Sequence, residues 1–230
     1  MDDDELAEPE SEELRQIKQQ RTQALAEVVQ FGDPVLRSVA SPVVDFDAAL
    51  IELAGRMAGL MLDALGIGMA APQLGVPRRL LVFQCSPDQP AAALVNPTIE
   101  WASREQEIFE EGCLSLDRIT VDVERPRFVR VRGCDLTREP VLIEASGLEA
   151  RVLQHEIDHL DGLLILDRTS KAQRRGAMRA LREGTSYHPD PPESEDEVAE
   201  DGADEPAPDA AHVAHEPAHE LAHEPAAESA

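Results

Sequence analysis

Lysine and arginine are missing from both ends of this 230-residue chain: none occurs in residues 1–13 or 187–230. Those ends hold 8 and 14 acids. The formal charge of −25 therefore belongs to the ends, because residues 14–186 carry 24 acids against all 21 bases. Such a charge excludes sequence-independent DNA binding by the whole chain, since phosphates would be repelled. Also missing is any apolar run near the roughly 18 residues that a membrane span needs, so no membrane association is expected. The first residues are acidic and lack the basic-then-apolar pattern of a secretory signal, so export is not expected. Three cysteines (Cys85, Cys113, Cys134) are too few, and odd in number, for a disulfide framework; they point to a reducing cytoplasm.

What is present is an ordinary middle, long enough to bury about 70% of its unfolded surface. The composition predicts an acidic arm over 1–13, a single folded domain over 14–184, and an acidic low-complexity tail over 185–230, with both ends disordered. Leu14, Ile17, Arg21, Leu25 and Val28 recur at helical spacing and predict a helix over about 13–29, stopped by Gly32-Asp33-Pro34. Asp45 or Asp47 would cap a second helix over about 48–65, with Leu50, Leu53, Ala54, Met57, Leu60, Met61 and Leu65 as its stripe. Gly66 is expected to end it in the left-handed conformation. Short apolar or alternating runs predict strands at 80–83, 93–95, 119–123, 128–132 and 141–143. Helical spacing returns over 147–160, followed by a segment (167–183) with six bases against two acids. The class is α+β.

His155-Glu156-Ile157-Asp158-His159 is an HExxH. On a helix, residues four apart share a face, so both imidazoles can grip one metal with Glu156 beside the open position. The same pattern recurs at His215–His219 and His219–His223. There it lies in an Ala/His/Glu/Pro repeat broken by Pro217 and Pro225, too short a run for a stable helix in water. The first copy interrupts an amphipathic helix, where two histidines and a glutamate without a role would leave polar groups to be satisfied.

A third ligand must come from elsewhere. An extended HExxHxxGxxH fails because Ile165 holds the last ligand position, and Glu183, a downstream acid, follows a cationic stretch at the edge of the tail. Glu111-Gly112-Cys113-Leu114-Ser115 offers a cysteine beside a glycine, where backbone can approach a ligand closely. Alone, such a cysteine reads as a small core residue; beside an HExxH it is a candidate thiolate ligand. Gly66-Ile67-Gly68-Met69-Ala70-Ala71-Pro72-Gln73 is a crowded loop with one amide side chain. It is no dinucleotide-binding fingerprint, because Ala71 stands where the third glycine would be and the loop follows a helix. Cys85 and Cys134 lie in no ligand-spaced cluster and read as core or near-surface thiols.

Residues 66–73, 111–115 and 154–162, in this order and spacing, resemble the three signature motifs of the peptide deformylase family. The segment 31–37 resembles the family's opening and 147–167 its closing helix, so the likeness covers roughly residues 28–170. It implies a catalytic domain of antiparallel strands packed around a central helix carrying the HExxH. It implies one Fe2+ per chain, replaceable by Zn2+, Ni2+ or Co2+, held by Cys113, His155 and His159 with a water completing the site. The implied reaction is removal of the N-formyl group from the initiator N-formylmethionine of new polypeptides, releasing formate. Glu156 would act as base and then acid. The Gln73 amide and the Leu114 backbone N–H would serve the developing oxyanion. Backbone groups at Ile67, Gly68 and Gly112 would pair with the extended peptide. The basic stretch 168–182 matches a region the family uses at the ribosome near the exit tunnel. Two departures stand out: Met69 in place of the usual Leu, and Leu116-Asp117-Arg118 where the family commonly has apolar-Pro-Gly.

Overall fold

The computed structural model describes residues 11–189. The expected arm, apart from 11–13, and the expected tail beyond 189, including the repeated HExxH copies, lie outside the described residues.

Ser11 caps helix α1 (Glu12–Glu27), its side chain accepting from the Leu14 N–H. Asp33 caps a 3-10 turn at Pro34–Arg37. Helix α2 (Ala48–Asp63) is capped by Asp47 rather than Asp45. Its buried face (Leu50, Ala54, Met57, Met61) follows the expected stripe, but Leu65 is 65% exposed. The helix ends differently from expectation. Leu65, not Gly66, takes the left-handed conformation (φ 59°), with Leu65 N–H donating to the Leu62 carbonyl and Gly66 N–H to Met61. Those are the two bonds of a Schellman ending with Leu65 one place past the cap. Gly66 serves space instead: an added carbon there would stand 3.0 Å from Leu114 Cδ1.

Seven strands follow: β1 (Gly68–Ala70), β2 (Leu80–Phe83), β3 (Ala92–Ala102), β4 (Gln106–Gly112), β5 (Thr120–Pro126), β6 (Phe128–Cys134) and β7 (Pro140–Ser146). All pairings are antiparallel, in a five-stranded sheet ordered β1-β2-β3-β6-β7 and a separate β4-β5 hairpin. β1 and β4 were not expected, and β3 and β7 are longer than their apolar centres. The register of β3 against β6 shifts around Asn96 and Pro97. Asn96 is left-handed there (φ 52°), and its side-chain amide clamps both backbone groups of Val43.

Helix α3 (Gly147–Leu160) and α2 cover opposite faces of the sheet. β2 is buried along its whole length because alternate side chains feed two cores. Leu81 and Phe83 join Val131, Leu153, Ile157 and Leu160 under α3. Leu80 and Val82 join Leu50, Met57 and Met61 under α2. A third cluster packs β5 (Val121, Val123) against the short α4 (Ile165–Arg168) and α5 (Lys171–Glu183). Residues 185–189, expected with the tail, are held to the domain. Tyr187 bridges beside Ile119, accepting from Thr120 N–H and donating to the Arg118 carbonyl, and its ring covers Gly176. No helix among the described residues is long and apolar enough to cross a membrane.

Candidate metal centre

Helix α3 buries Gln154, Glu156, Asp158 and His159, and polar groups in such a setting need partners. The Gln154 amide donates to the carbonyls of Ala150 (2.9 Å) and Pro126 (3.0 Å). Asp158 accepts from Arg125 Nη1 (2.9 Å) and Arg168 Nε (3.0 Å). Arg125, 3% exposed on β5, turns its other edge to Glu111 in a two-point pair of 2.6 and 2.9 Å. Arg151 adds a third bond to Glu111 at 2.7 Å. Burial alone would push the Glu111 carboxyl up. The hydrogen bonds from Arg125 and His155 and their charge overcome this and hold it well below the usual carboxylate range. Glu111 Oε2 in turn lies 3.0 Å from His155 Nδ1. This fixes the ring and leaves Nε2 for a ligand, as an acid behind a metal-binding histidine does.

Cys113 follows directly on the last residue of β4, and its Sγ lies 3.2 Å from His159 Nε2. One ligand-type atom each from Cys113, His155 and His159 lies within 4.8 Å of the others, and no second such cluster occurs among the described residues. The two imidazoles meet edge to face, ring centres 5.1 Å apart. Burial, then the charges of His155, Arg125 and Arg37, hold His159 well below its ordinary value, so its ring is neutral, the form that ligates metal. A thiolate with two imidazoles suits a borderline-soft divalent ion. The residues fit such an ion on a second count. Among the described residues, the buried side-chain atoms lacking a hydrogen-bond partner are Glu156 Oε2 and His159 Nδ1. Such an orphaned group costs about 1–3 kcal/mol; Glu156 lines the same site, whereas His159 Nδ1 is on the ring edge away from the Nε2 that approaches Cys113 Sγ.

Burial pushes the Glu156 carboxyl up to about 7, with Glu111 and Asp158 adding to the rise and His155 and Arg125 opposing it. A carboxyl titrating near neutrality can both take and return a proton. Gly68 is what lets β1 pass beside it: an added carbon at Gly68 would stand 2.9 Å from Glu156 Cδ and nearer still to Oε1. The buried Gln73 side chain accepts from the Ala70 N–H at 2.8 Å, which aims its amide nitrogen at Ser115 Oγ (3.3 Å) and Cys113 Sγ (3.8 Å). These groups open into a cavity of about 1020 Å³ whose lining includes Ile67, Gly68, Gln73, Gly112, Cys113, Leu114, His155 and Glu156.

The motif residues given site roles (Ile67, Gly68, Gln73, Gly112, Cys113, Leu114, His155, Glu156 and His159) thus lie in the cavity lining or the ligand cluster. Met69 is fully buried among Met57, Met61 and Leu80, where a long unbranched side chain fills the same space as leucine. Cys85 and Cys134 are partly buried against the cores and lie outside the ligand cluster. Missed from the sequence were Arg125, Arg151, Asp158 and the orienting role of Glu111. The one available signal was the alternation Val121, Val123, Arg125, which turns the arginine inward along β5.

A mixed fold that brings two imidazoles and a cysteine sulfur together beside a buried glutamate with an orphaned oxygen, in an open cavity, defines a metal-dependent hydrolase. The family model described as polypeptide deformylase matches residues 25–175. A peptide deformylase of Parafrankia sp. is 47% identical over 152 residues, covering 66% of this chain and 82% of that protein. Peptide deformylase 1 of Corynebacterium efficiens is 44% identical over 154 residues, covering 66% and 91%. Among solved structures, the peptide deformylase of Legionella pneumophila matches with a TM-score of 0.65 at 39% identity, covering 68% of this chain and 93% of that one. The Synechococcus elongatus enzyme, solved in complex with actinonin, matches with 0.65 at 37% identity, covering 69% and 88%. The chain belongs to the peptide deformylase family. It is a hydrolase that removes the N-formyl group from newly synthesised polypeptides.

Proposed function

We propose that Cys113, His155 and His159 hold one Fe2+, with Zn2+, Ni2+ or Co2+ able to replace it, and that Glu156 is the proton-transfer group of N-formylmethionine hydrolysis. The observation that carries this reading is the approach of the three ligand atoms to within 4.8 Å beside the orphaned Glu156 carboxylate. When bound, the metal supplies Lewis acidity that acidifies water and polarises the formyl carbonyl. Glu156 accepts the proton lost by the attacking water. As the C–N bond breaks, the same carboxyl returns that proton to the departing amine, so formate and a free methionine amino group leave together. The Gln73 amide and the Leu114 N–H donate to the carbonyl oxygen as it gains charge; one such donor is worth about 10²–10³ in rate. Ile67, Gly68 and Gly112 offer backbone groups to the extended peptide along the cavity walls. Glu111, ionised and fixed by Arg125 and Arg151, keeps His155 in the orientation ligation requires.

The same reading places the enzyme in the cytoplasm, on nascent chains, with the exposed bases of 168–182 offered to the ribosome near its exit. Arg168 is partly committed to Asp158 and Arg174 to Asp167, so that role rests mainly on Lys171, Arg175, Arg179 and Arg182. The test is formate release from a formyl-Met peptide by anaerobically prepared protein, with Glu156→Ala beside it. Release in the native protein and its loss in the variant are expected. No formate, formate undiminished by the substitution, or peptide-bond cleavage in its place would overturn the assignment.

A further inference from the structure

Three features that set this chain apart from the matched family region meet at one place. Most of α1 precedes the matched residues 25–175, and residues 185–189 follow them. Both segments nevertheless line the cavity, α1 through Arg21 and Thr22, the later segment through Ser186 and His188. Between them lies the loop Leu116-Asp117-Arg118, where the sequence departs from the family pattern. Leu116 anchors this loop in the third core, and the next two residues turn outward. Arg21 Nη2 donates to Asp117 Oδ1 at 3.0 Å from one side. The Tyr187 N–H donates to the Arg118 carbonyl at 3.0 Å from the other. Segments from outside the matched range and this loop thus form one continuous rim of the cavity's lining.

That rim carries a specific charge. Asp117 lies between Arg21 (3.0 Å) and Arg118 Nε (3.6 Å), two guanidinium groups for one carboxylate. Arg21 spends one of its five N–H donors on Asp117 in the contacts above and keeps 39% of its side chain exposed. The other acids lining the cavity, Glu110, Glu111 and Glu156, lie on β4 and α3. Glu156 is 4% exposed, whereas Arg21 and Asp117 in the same lining keep 39% and 34% of their side chains exposed, so the rim lies on the more open part of the cavity.

We propose that Arg21, Asp117 and Arg118 form a subsite for the peptide downstream of the formylated methionine, with Arg21 the residue that selects an acidic side chain there. The inference rests on the cavity being the peptide-binding site of the deformylase reaction. α1 is then a substrate-contacting wall, and Asp117 tempers its charge as well as holding it in place.

The test compares kcat/KM for formyl-Met-Ala-Asp-Asp-Ala and formyl-Met-Ala-Lys-Lys-Ala in the metal-loaded full-length protein at low salt. The native enzyme should prefer the acidic peptide by about three- to fivefold, the size of one partly exposed ion pair, expressed in KM rather than kcat. Arg21→Ala should bring the ratio to near one. Asp117→Asn, which leaves both guanidinium groups uncompensated, should raise it, and 0.5 M salt should bring the ratio to near one in the native and Asp117→Asn proteins. A merely structural tie between α1 and the loop is cut by either substitution, so the two variants would then shift the ratio together. A common shift, or a native ratio of one, overturns the proposal. Loss of activity on both peptides in the native enzyme would overturn the deformylase reading instead.

Discussion

Placing a methyl at Gly68 tests the site at its tightest point. Gly68 has an ordinary backbone conformation, so Gly68→Ala introduces no backbone strain. Its whole effect is steric. The added carbon would stand 2.9 Å from Glu156 Cδ and 3.0 Å from Cγ, with Oε1 closer than either. Contacts under 3.0 Å are essentially never made by real Cβ atoms, so something must move. β1 is held by β2 along its length, and Glu156 is 4% exposed on a packed helix, so the carboxylate must yield within a small space. A displacement approaching 1 Å at a catalytic group costs on the order of 10²-fold in rate, about 2.7 kcal/mol of transition-state stabilisation. The fold should lose no more than about 1–3 kcal/mol, the usual cost of overpacking by one methyl. Steady-state formate release and thermal melting on the same preparation separate the two effects. A folded Gly68→Ala enzyme with kcat within threefold of the native value would refute the placement of Glu156 against β1.

The other expectations are quickly stated. Arg125→Leu leaves Glu111 and Asp158 buried and short of their cation, so urea unfolding should show a loss of about 3–5 kcal/mol. Glu111 is held well below the ordinary glutamate value of 4.5, so the stability it confers is complete above that pH and is lost as pH falls below it toward the lowered value of the folded state. Glu111→Gln should therefore flatten the acid limb of stability against pH, and a slope as steep as the native one would contradict the ion pair. Burial, with Glu149 nearby, pushes the Cys85 thiol up to about 11. At neutral pH it should react with iodoacetamide far more slowly than a free cysteine, as read by peptide mass mapping. Gly55 lies on the exposed side of α2 with nothing near its Cβ direction, so Gly55→Ala should raise stability by about 0.5–1 kcal/mol and leave formate release unchanged.

Periodicity located α1, α2 and α3 to within a few residues, but only α2 buries its expected stripe: α1 buries Ala24 alone and leaves Leu14 and Ile17 exposed, and α3 is buried around most of its circumference with Leu148 exposed. The strand runs at 80–83 and 128–132 were legible for the opposite reasons. One is buried on both faces and reads as an unbroken apolar run, while the other alternates buried valines with exposed arginines. β4 gave no such signal, because in QEIFEEG only Glu111 is buried and the apolar Ile108 and Phe109 stay exposed. What orders that strand is its pairing with β5, a long-range property invisible to local pattern. The ending of α2 misled for a related reason. Glycine is the expected left-handed residue, yet here the glycine is needed one place later, where Leu114 packs over it.

The metal ligands and Glu156 were readable because their chemistry restricts residue type and spacing. The groups that hold them in place were not, and the difference is physical. His155 takes its orientation from Glu111, Glu111 its charge from Arg125, and Arg125 its second partner from Asp158, which Arg168 also binds. Asp158 sits inside the HExxH as one of its unspecified positions, while Arg125 lies thirty residues upstream on a strand. A buried charge is tolerable only when its partners are complete, so these residues form one unit. The motif read from the sequence is the half that faces the substrate. The other half faces the core, and it is what allows a helix packed under a sheet to carry two imidazoles and two acids inward.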